Sequence, residues 1–162
     1  MTTDGSHDED LYQVRAADPS HISALIKIGD ETGLSPWSAQ NYLDEMKRED
    51  SVILKISDDQ NQMSGFICGR IPLSEPREAE IFNIAVRPAF RGKGQRLLSE
   101  FLDMCRHRGV RKIWLEVRAS NKKAHIFYAR NGFVPSGIRK NFYSHPVEDA
   151  VLMCLTVESE SA

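Results

Sequence analysis

Residues 79–105 read AEIFNIAVRPAFRGKGQRLLSEFLDMC, and a change of rhythm inside this stretch decides the fold. Residues 79–86 are rich in β-branched and aromatic types and stop just before Pro88, as a buried strand at the centre of a sheet does. After the short loop Arg91-Gly92-Lys93-Gly94, the apolar residues Leu97, Leu98, Phe101, Leu102 and Cys105 recur at i, i+1, i+4, i+5 and i+8. That spacing marks one face of a helix, which Gly109 closes.

Downstream, the pattern predicts a strand over 112–117, a helix over 121–131, and strands over 133–138 and 150–157. Upstream, 51–56 and 63–71 flank the polar turn 57–62 as an antiparallel hairpin does. Pro36-Trp37-Ser38 opens a helix with Tyr42, Leu43 and Met46 on its inner face. Asp18 and Pro19 fit the N-cap and first turn of another, carried by Ile22, Leu25 and Ile26 and ending near Gly29. Strands that alternate with helices and return to strand predict an α/β domain with a mixed sheet. No internal repeat or low-complexity tract interrupts it.

The chain has 162 residues, 41% of them hydrophobic, which suits one domain. It is expected over 11–157, between a frayed acidic tail at 1–10 (MTTDGSHDED) and a polar tail at 158–162 (ESESA). With 21 Lys and Arg against 23 Asp and Glu, no overall field gathers nucleic acid, and dedicated nucleic-acid binding is not expected. The basic run 106–112 sits where a helix C-terminus favours cations. Cys68, Cys105 and Cys154 lie in apolar runs without C-x-x-C spacing and read as reduced core residues of a cytoplasmic protein. No stretch is long and apolar enough for a membrane span, and the five histidines lack metal-site spacing, so neither membrane nor metal is expected.

A glycine turn between a strand and a helix leaves backbone N–H groups pointing outward where the helix dipole favours anions. Arg91, Gly92, Lys93 and Gly94 therefore form a phosphate-site candidate, although the same residues also suit an ordinary basic turn. The loop is not of the Walker type, because no Gly lies five residues before Gly92-Lys93 and no Ser or Thr follows the lysine. Farther on, residues 113–121 (IWLEVRASN) place Glu116 at the end of a strand, and Phe127-Tyr128 and Asn131-Gly132-Phe133 place a phenol on the next helix. A carboxylate and a phenol so placed suit proton transfer at an amine. Taken alone, Glu116 reads as a solvated strand side chain and Tyr128 as a core ring.

Together, IFNIAVRPAFRGKG, EVRASN, Phe127-Tyr128, Asn131-Gly132-Phe133 and the IRKNFY stretch at 138–143 resemble the Gcn5-related N-acetyltransferase (GNAT) superfamily, most nearly its RimI-type branch of ribosomal-protein-alanine N-acetyltransferases. The likeness covers nearly the whole chain. It implies a single GNAT-like domain whose mixed, mostly antiparallel sheet has a splayed central strand pair and flanking helices. It implies acetyl-CoA as donor, with pantetheine pairing along Asn83, Ile84, Ala85 and Val86 and pyrophosphate on the loop from Arg91. The acceptor it implies is a basic peptide, the N-terminal alanine of a small-subunit ribosomal protein. Other protein termini, lysines or small amines are the runner-up acceptors.

In the family's terms Glu116 resembles the general base and Tyr128 the acid that protonates the leaving thiolate. Asn121 faces the coenzyme, caps its helix, or does both. Arg139, Asn141 and Tyr143 lie beside the acceptor slot and Trp37 on its opposite lip, unless Trp37 is a plug at a helix entry and Tyr143 a sheet-surface ring. Glu116 and Asp149 give that slot a negative wall. One departure stands out. The family loop reads Q/R-x-x-G-x-G/A, but after Gly94 the residues Gln95, Arg96, Leu97 and Leu98 match family positions that come two places later. Either the loop is two residues shorter or the first helical turn unwinds to supply its N–H groups. A non-catalytic interaction module of the same fold is the alternative that such a loop leaves open.

Overall fold

The computed structural model describes residues 11–34, 36–90 and 92–158. The tail expected at 1–10, residues 159–162 and Arg91 of the glycine loop lie outside the described residues. Among those described are seven strands and four α-helices. They follow the order β1 (Gln13–Ala16), α1 (Ile22–Glu31), α2 (Ala39–Met46), β2 (Ser51–Ser57), β3 (Met63–Arg70), β4 (Glu78–Val86), α3 (Lys93–His107), β5 (Lys112–Arg118), α4 (Lys122–Arg130), β6 (Val134–Tyr143) and β7 (Glu148–Thr156). The strands form one sheet in the order β1-β2-β3-β4-β5-β7-β6, with β4 at its centre as its composition predicts.

The sheet is mixed. β4 and β5, joined through α3 in a crossover, are parallel, while β1 with β2, β5 with β7, and β6 with β7 are antiparallel. The β4–β5 ladder pairs Glu78 with Lys112 through to Ile81 with Leu115. Beyond it β4 continues to Val86 and β5 to Arg118.

Contacts gather the chain into two compact units, one holding residues up to Gly69 with Asn83–Met104, the other Arg70–Phe82 with residues from Cys105 on. Leu25, Ile28, Ile56, Phe66, Leu97, Leu98 and Phe101 are fully buried in the first, and Ile71, Ile113, Phe133 and Met153 in the second. The predicted face of α3 is the observed one. Leu97, Leu98, Phe101, Leu102 and Cys105 are all buried.

Helix starts follow their capping chemistry. Asp18 accepts from the Ser20 N–H at 2.8 Å and opens a 3-10 turn at Pro19–His21 that leads into α1. Ser38 accepts from the Asn41 N–H at 3.1 Å and opens α2. Asn121 accepts from the Ala124 N–H at 3.2 Å and opens α4.

Four boundaries differ from expectation. First, α1 runs to Glu31, past Gly29. That glycine is buried within the helix, and the left-handed residue after the helix is Gly33, at φ +73°. Second, Tyr42 and Glu45 are the buried residues of α2, while Leu43 and Met46 are only half-buried. Third, α3 begins at Lys93, so Lys93 and Gly94 belong to the helix and not to the loop. Fourth, β6 extends to Tyr143, because pairing with β7 resumes after register shifts between Pro135 and Gly137 and between Arg139 and Tyr143. Those shifts break the two-residue alternation that marks a strand in sequence.

Candidate active site

The first unit supplies the end of β4 and the turn into α3. Ala85 is buried, and Asn83, Ile84 and Val86 are half-buried. Gly65 on β3 lets the two strands approach closely, since a Cβ there would lie 2.6 Å from the Ala85 carbonyl oxygen. Arg87 fastens the exit of β4. Its Nη1 donates to the Met63 carbonyl at 3.1 Å and its Nε to Glu31 Oε2 at 2.8 Å.

A 3-10 turn at Pro88–Phe90 follows, then Gly92 at φ +94°, a conformation that glycine takes without strain. The Gln95 N–H donates to the Gly92 carbonyl at 3.3 Å, inside a helix already under way. Of the two alternatives read from the sequence, the loop is the shorter one, and its first helical turn stays wound. Neither cation of that turn is loose. Lys93 Nζ lies 4.0 Å from the ring centroid of Tyr12, and Arg96 Nη1 donates to the Tyr12 carbonyl at 2.9 Å. Trp37, also in this unit, is half-buried with its ring 5.1 Å from that of Tyr42.

The second unit holds the proton-transfer candidates. Glu116 stands opposite Leu152 in the β5–β7 ladder, its side chain 18% exposed, with Arg139 Nε 3.0 Å from Oε1. Tyr128 is buried on α4, its ring 5.6 Å from that of Phe133. Burial, and after it the neighbouring Tyr143, raises its phenol above the ordinary range, so the proton stays on the oxygen. Tyr143 is half-buried with the Arg118 guanidinium 4.3 Å from its ring centroid. Its phenol is raised too, first by burial and then by the charge of Glu116.

Asp149 accepts from the Asn141 N–H at 2.9 Å, where Asn141 takes φ +54° at the second register shift of β6. The expected negative wall thus carries its own partners: Arg139 on Glu116 and the Asn141 N–H on Asp149. Asn121 is the N-cap of α4, one of its two expected roles.

Pairings between distant residues escaped the sequence reading. Arg118 donates to Glu148 Oε2 at 3.2 Å, and Glu148 Oε1 accepts from the Ser120 N–H at 2.6 Å, which ties the end of β5 to the start of β7. The partners are 30 and 28 residues apart. Tyr12 and Arg96 are 84 apart. No local periodicity reports such pairs.

The sequence model of the Acetyltransferase (GNAT) family matches residues 12–133, a span that includes β4, the glycine turn, Glu116 and Tyr128. The chain belongs to this family. Among its curated GNAT relatives, the ribosomal protein bS18-alanine N-acetyltransferase of Salmonella typhimurium is 39% identical over 126 residues, covering 75% of this chain and 82% of the relative. The protein of the same name from Escherichia coli K12 is 32% identical over 152 residues, covering 91% and 99%. The crystal structure of the ribosomal-protein-S18-alanine N-acetyltransferase from Escherichia coli superposes with a TM-score of 0.81 at 29% identity, covering 94% of this chain and 97% of the other.

As a GNAT member the protein is an acetyl-CoA-dependent N-acetyltransferase. Its cysteines are not placed to carry the acetyl group. All three are buried and outside any disulfide, and burial pushes the Cys105 thiol up to about 12. Among the described residues no cluster of three or more His, Cys, Asp or Glu comes together to hold a metal ion, and no helix is long and apolar enough to cross a membrane.

Proposed function

We propose that this GNAT domain, spanning residues 11–157, acetylates the α-amino group of a protein N-terminus. Its acceptor is the terminal alanine of a small-subunit ribosomal protein, which makes it a cytoplasmic enzyme. The observation that carries this reading is the 39% identity to the Salmonella enzyme over 126 residues.

When bound, acetyl-CoA supplies an activated acyl group that a neutral amine attacks. A terminal amine with a pKa of about 8 is mostly protonated at neutral pH, so a base must take its proton. Glu116 is that base, directly or through a water, and Arg139 holds its carboxylate in place until the acceptor's cationic end takes over. Tyr128 keeps its proton by burial and gives it to the departing thiolate. Asn83, Ile84, Ala85 and Val86 offer strand backbone to an extended amide chain, and a backbone N–H near Asn83 or Ile84 steadies the oxyanion. Gly92, Lys93, Gly94, Gln95 and Arg96 meet the phosphates at the start of α3, with Arg91 before them and Asn121 toward the same donor. Trp37, Asn141, Tyr143 and Asp149 serve the acceptor directly, and Arg139 serves it only through Glu116.

The test is mass spectrometry on a peptide panel. An Ala-initiated ribosomal peptide should gain one acetyl group at its α-amine, while the same peptide blocked at the N-terminus should gain none. Glu116→Gln and Tyr128→Phe should each lower kcat on the order of a hundredfold. Acetylation of a lysine in the blocked peptide, or full turnover by either variant, would sink the reading.

A further inference from the structure

The turn from β4 to α3 is short, and a residue far from it in sequence meets it from both ends. On the entering side, the rings of Tyr12 and Phe90 meet edge to face with centroids 6.2 Å apart and planes at 66°. On the leaving side, the ring face of Tyr12 carries Lys93 Nζ at 4.0 Å, and its carbonyl accepts from Arg96 Nη1 at 2.9 Å. Tyr12 immediately precedes β1, which pairs with β2 from Gln13–Ser57 to Ala16–Leu54, so its own position is fixed by the sheet. One residue therefore ties Phe90, Lys93 and Arg96 to the edge of the sheet.

A turn two residues shorter than its family pattern has fewer backbone N–H groups to offer an anion. Its side-chain cations count for more, and so does their order. An ammonium resting on a ring face keeps N–H donors free on its other sides. Holding the lysine in one rotamer beforehand also lowers the entropy lost when a phosphate binds.

We propose that Tyr12 is a positioning residue for the donor. By bracketing the shortened turn it sets the first turn of α3 and the Lys93 ammonium for the diphosphate of acetyl-CoA. This inference rests on the donor reading given above.

The experiment compares the full-length wild type with Tyr12→Phe and Tyr12→Leu. Each is titrated calorimetrically with coenzyme A, then assayed with acetyl-CoA and with acetyl-pantetheine, a donor that lacks the diphosphate and the nucleotide. Tyr12→Leu should weaken coenzyme A binding and raise the KM for acetyl-CoA by about threefold to tenfold, with kcat unchanged. Its kcat/KM for acetyl-pantetheine should match the wild type. Tyr12→Phe keeps the ring face and should behave as wild type throughout.

Normal coenzyme A binding by Tyr12→Leu, or an equal loss with both donors, would overturn the proposal. If Tyr12→Leu does not fold, Lys93→Met takes its place: a loss specific to the full-length donor supports the proposal, and wild-type affinity overturns it. Absence of coenzyme A binding in the folded wild type would remove the donor reading itself, and Tyr12's role with it. A defect confined to the variants bears on Tyr12 alone.

Discussion

Glu116 meets a guanidinium before it meets any substrate. Arg139 is more than half exposed, at 57%, and sits 3.0 Å from the carboxylate that we propose as the acceptor's base. An ion pair this open contributes about 0.2–1 kcal/mol. Releasing it should let an incoming ammonium bind up to about fivefold more tightly, so Arg139→Ala should lower the acceptor KM by that factor in steady-state assays. A raised KM would instead make Arg139 a direct acceptor contact. Tyr128 gives a prediction about pH. Its phenol is raised above the ordinary 10.0, so it stays protonated and competent as an acid throughout the neutral and mildly basic range. The kcat plateau should extend to about pH 10, and a basic limb centred well below that would rule out Tyr128 as the acid. The placement of both residues was legible from sequence, Glu116 on a strand and Tyr128 on the helix that follows it. The grip of Arg139 was not, since it spans the β5, β7 and β6 pairings.

At the scale of elements, the end of β4 depends on what β3 lacks. A methyl group at Gly65 would meet the Ala85 carbonyl oxygen at 2.6 Å, with Val86 Cγ2 at 2.9 Å and Val86 Cα at 3.2 Å beside it. Gly65→Ala should cost about 1–3 kcal/mol in denaturant unfolding and weaken coenzyme A binding, because strand β4 must shift to accept it. Wild-type stability and affinity in that variant would show that the strands separate without cost. The elements themselves were largely readable. The five apolar positions of α3 and the cap Asn121 fell where pattern and polarity put them, whereas Asp18, read as the cap of α1, caps the 3-10 turn at Pro19–His21 that precedes it. The beginning of α3 did not, because two glycines around Lys93 look like loop, while Gly92 alone makes the turn and Gly94 is helical. The far half of β6 was hidden for a different reason: its register shifts interrupt the alternation by which a strand is recognised.

At the scale of the whole molecule, the central place of β4 could be read from composition, but the insertion of β7 between β5 and β6 could not. That order is secured by contacts distant in sequence, such as the bonds from Arg118 and Ser120 to Glu148. Hydrogen bonds from the Ser120 side chain and backbone, with Arg118 beside them, hold the Glu148 carboxyl below its ordinary 4.5. A carboxyl depressed in the folded state adds stability that is fully present above its unfolded pKa and is lost as pH falls through the folded one. Melting temperature should therefore decline below about pH 4.5, and Glu148→Gln should be less stable at neutral pH yet decline less steeply on acidification. Parallel melting curves of the two proteins from about pH 3 to about pH 7 would dissociate Glu148 from acid lability.

The outermost strand has a further consequence. β6 closes one side of the sheet, and Val134, Ile138 and Phe142 along it are exposed at 58%, 67% and 45%. A flat ribbon of that length and greasiness is a template on which copies of a chain stack into insoluble fibrils. The two bulges that obscured β6 in the sequence bend its free rim and put its hydrogen-bonding groups out of step with any straight neighbour. The irregularity that makes this strand hard to recognise is thus also what guards it against self-association.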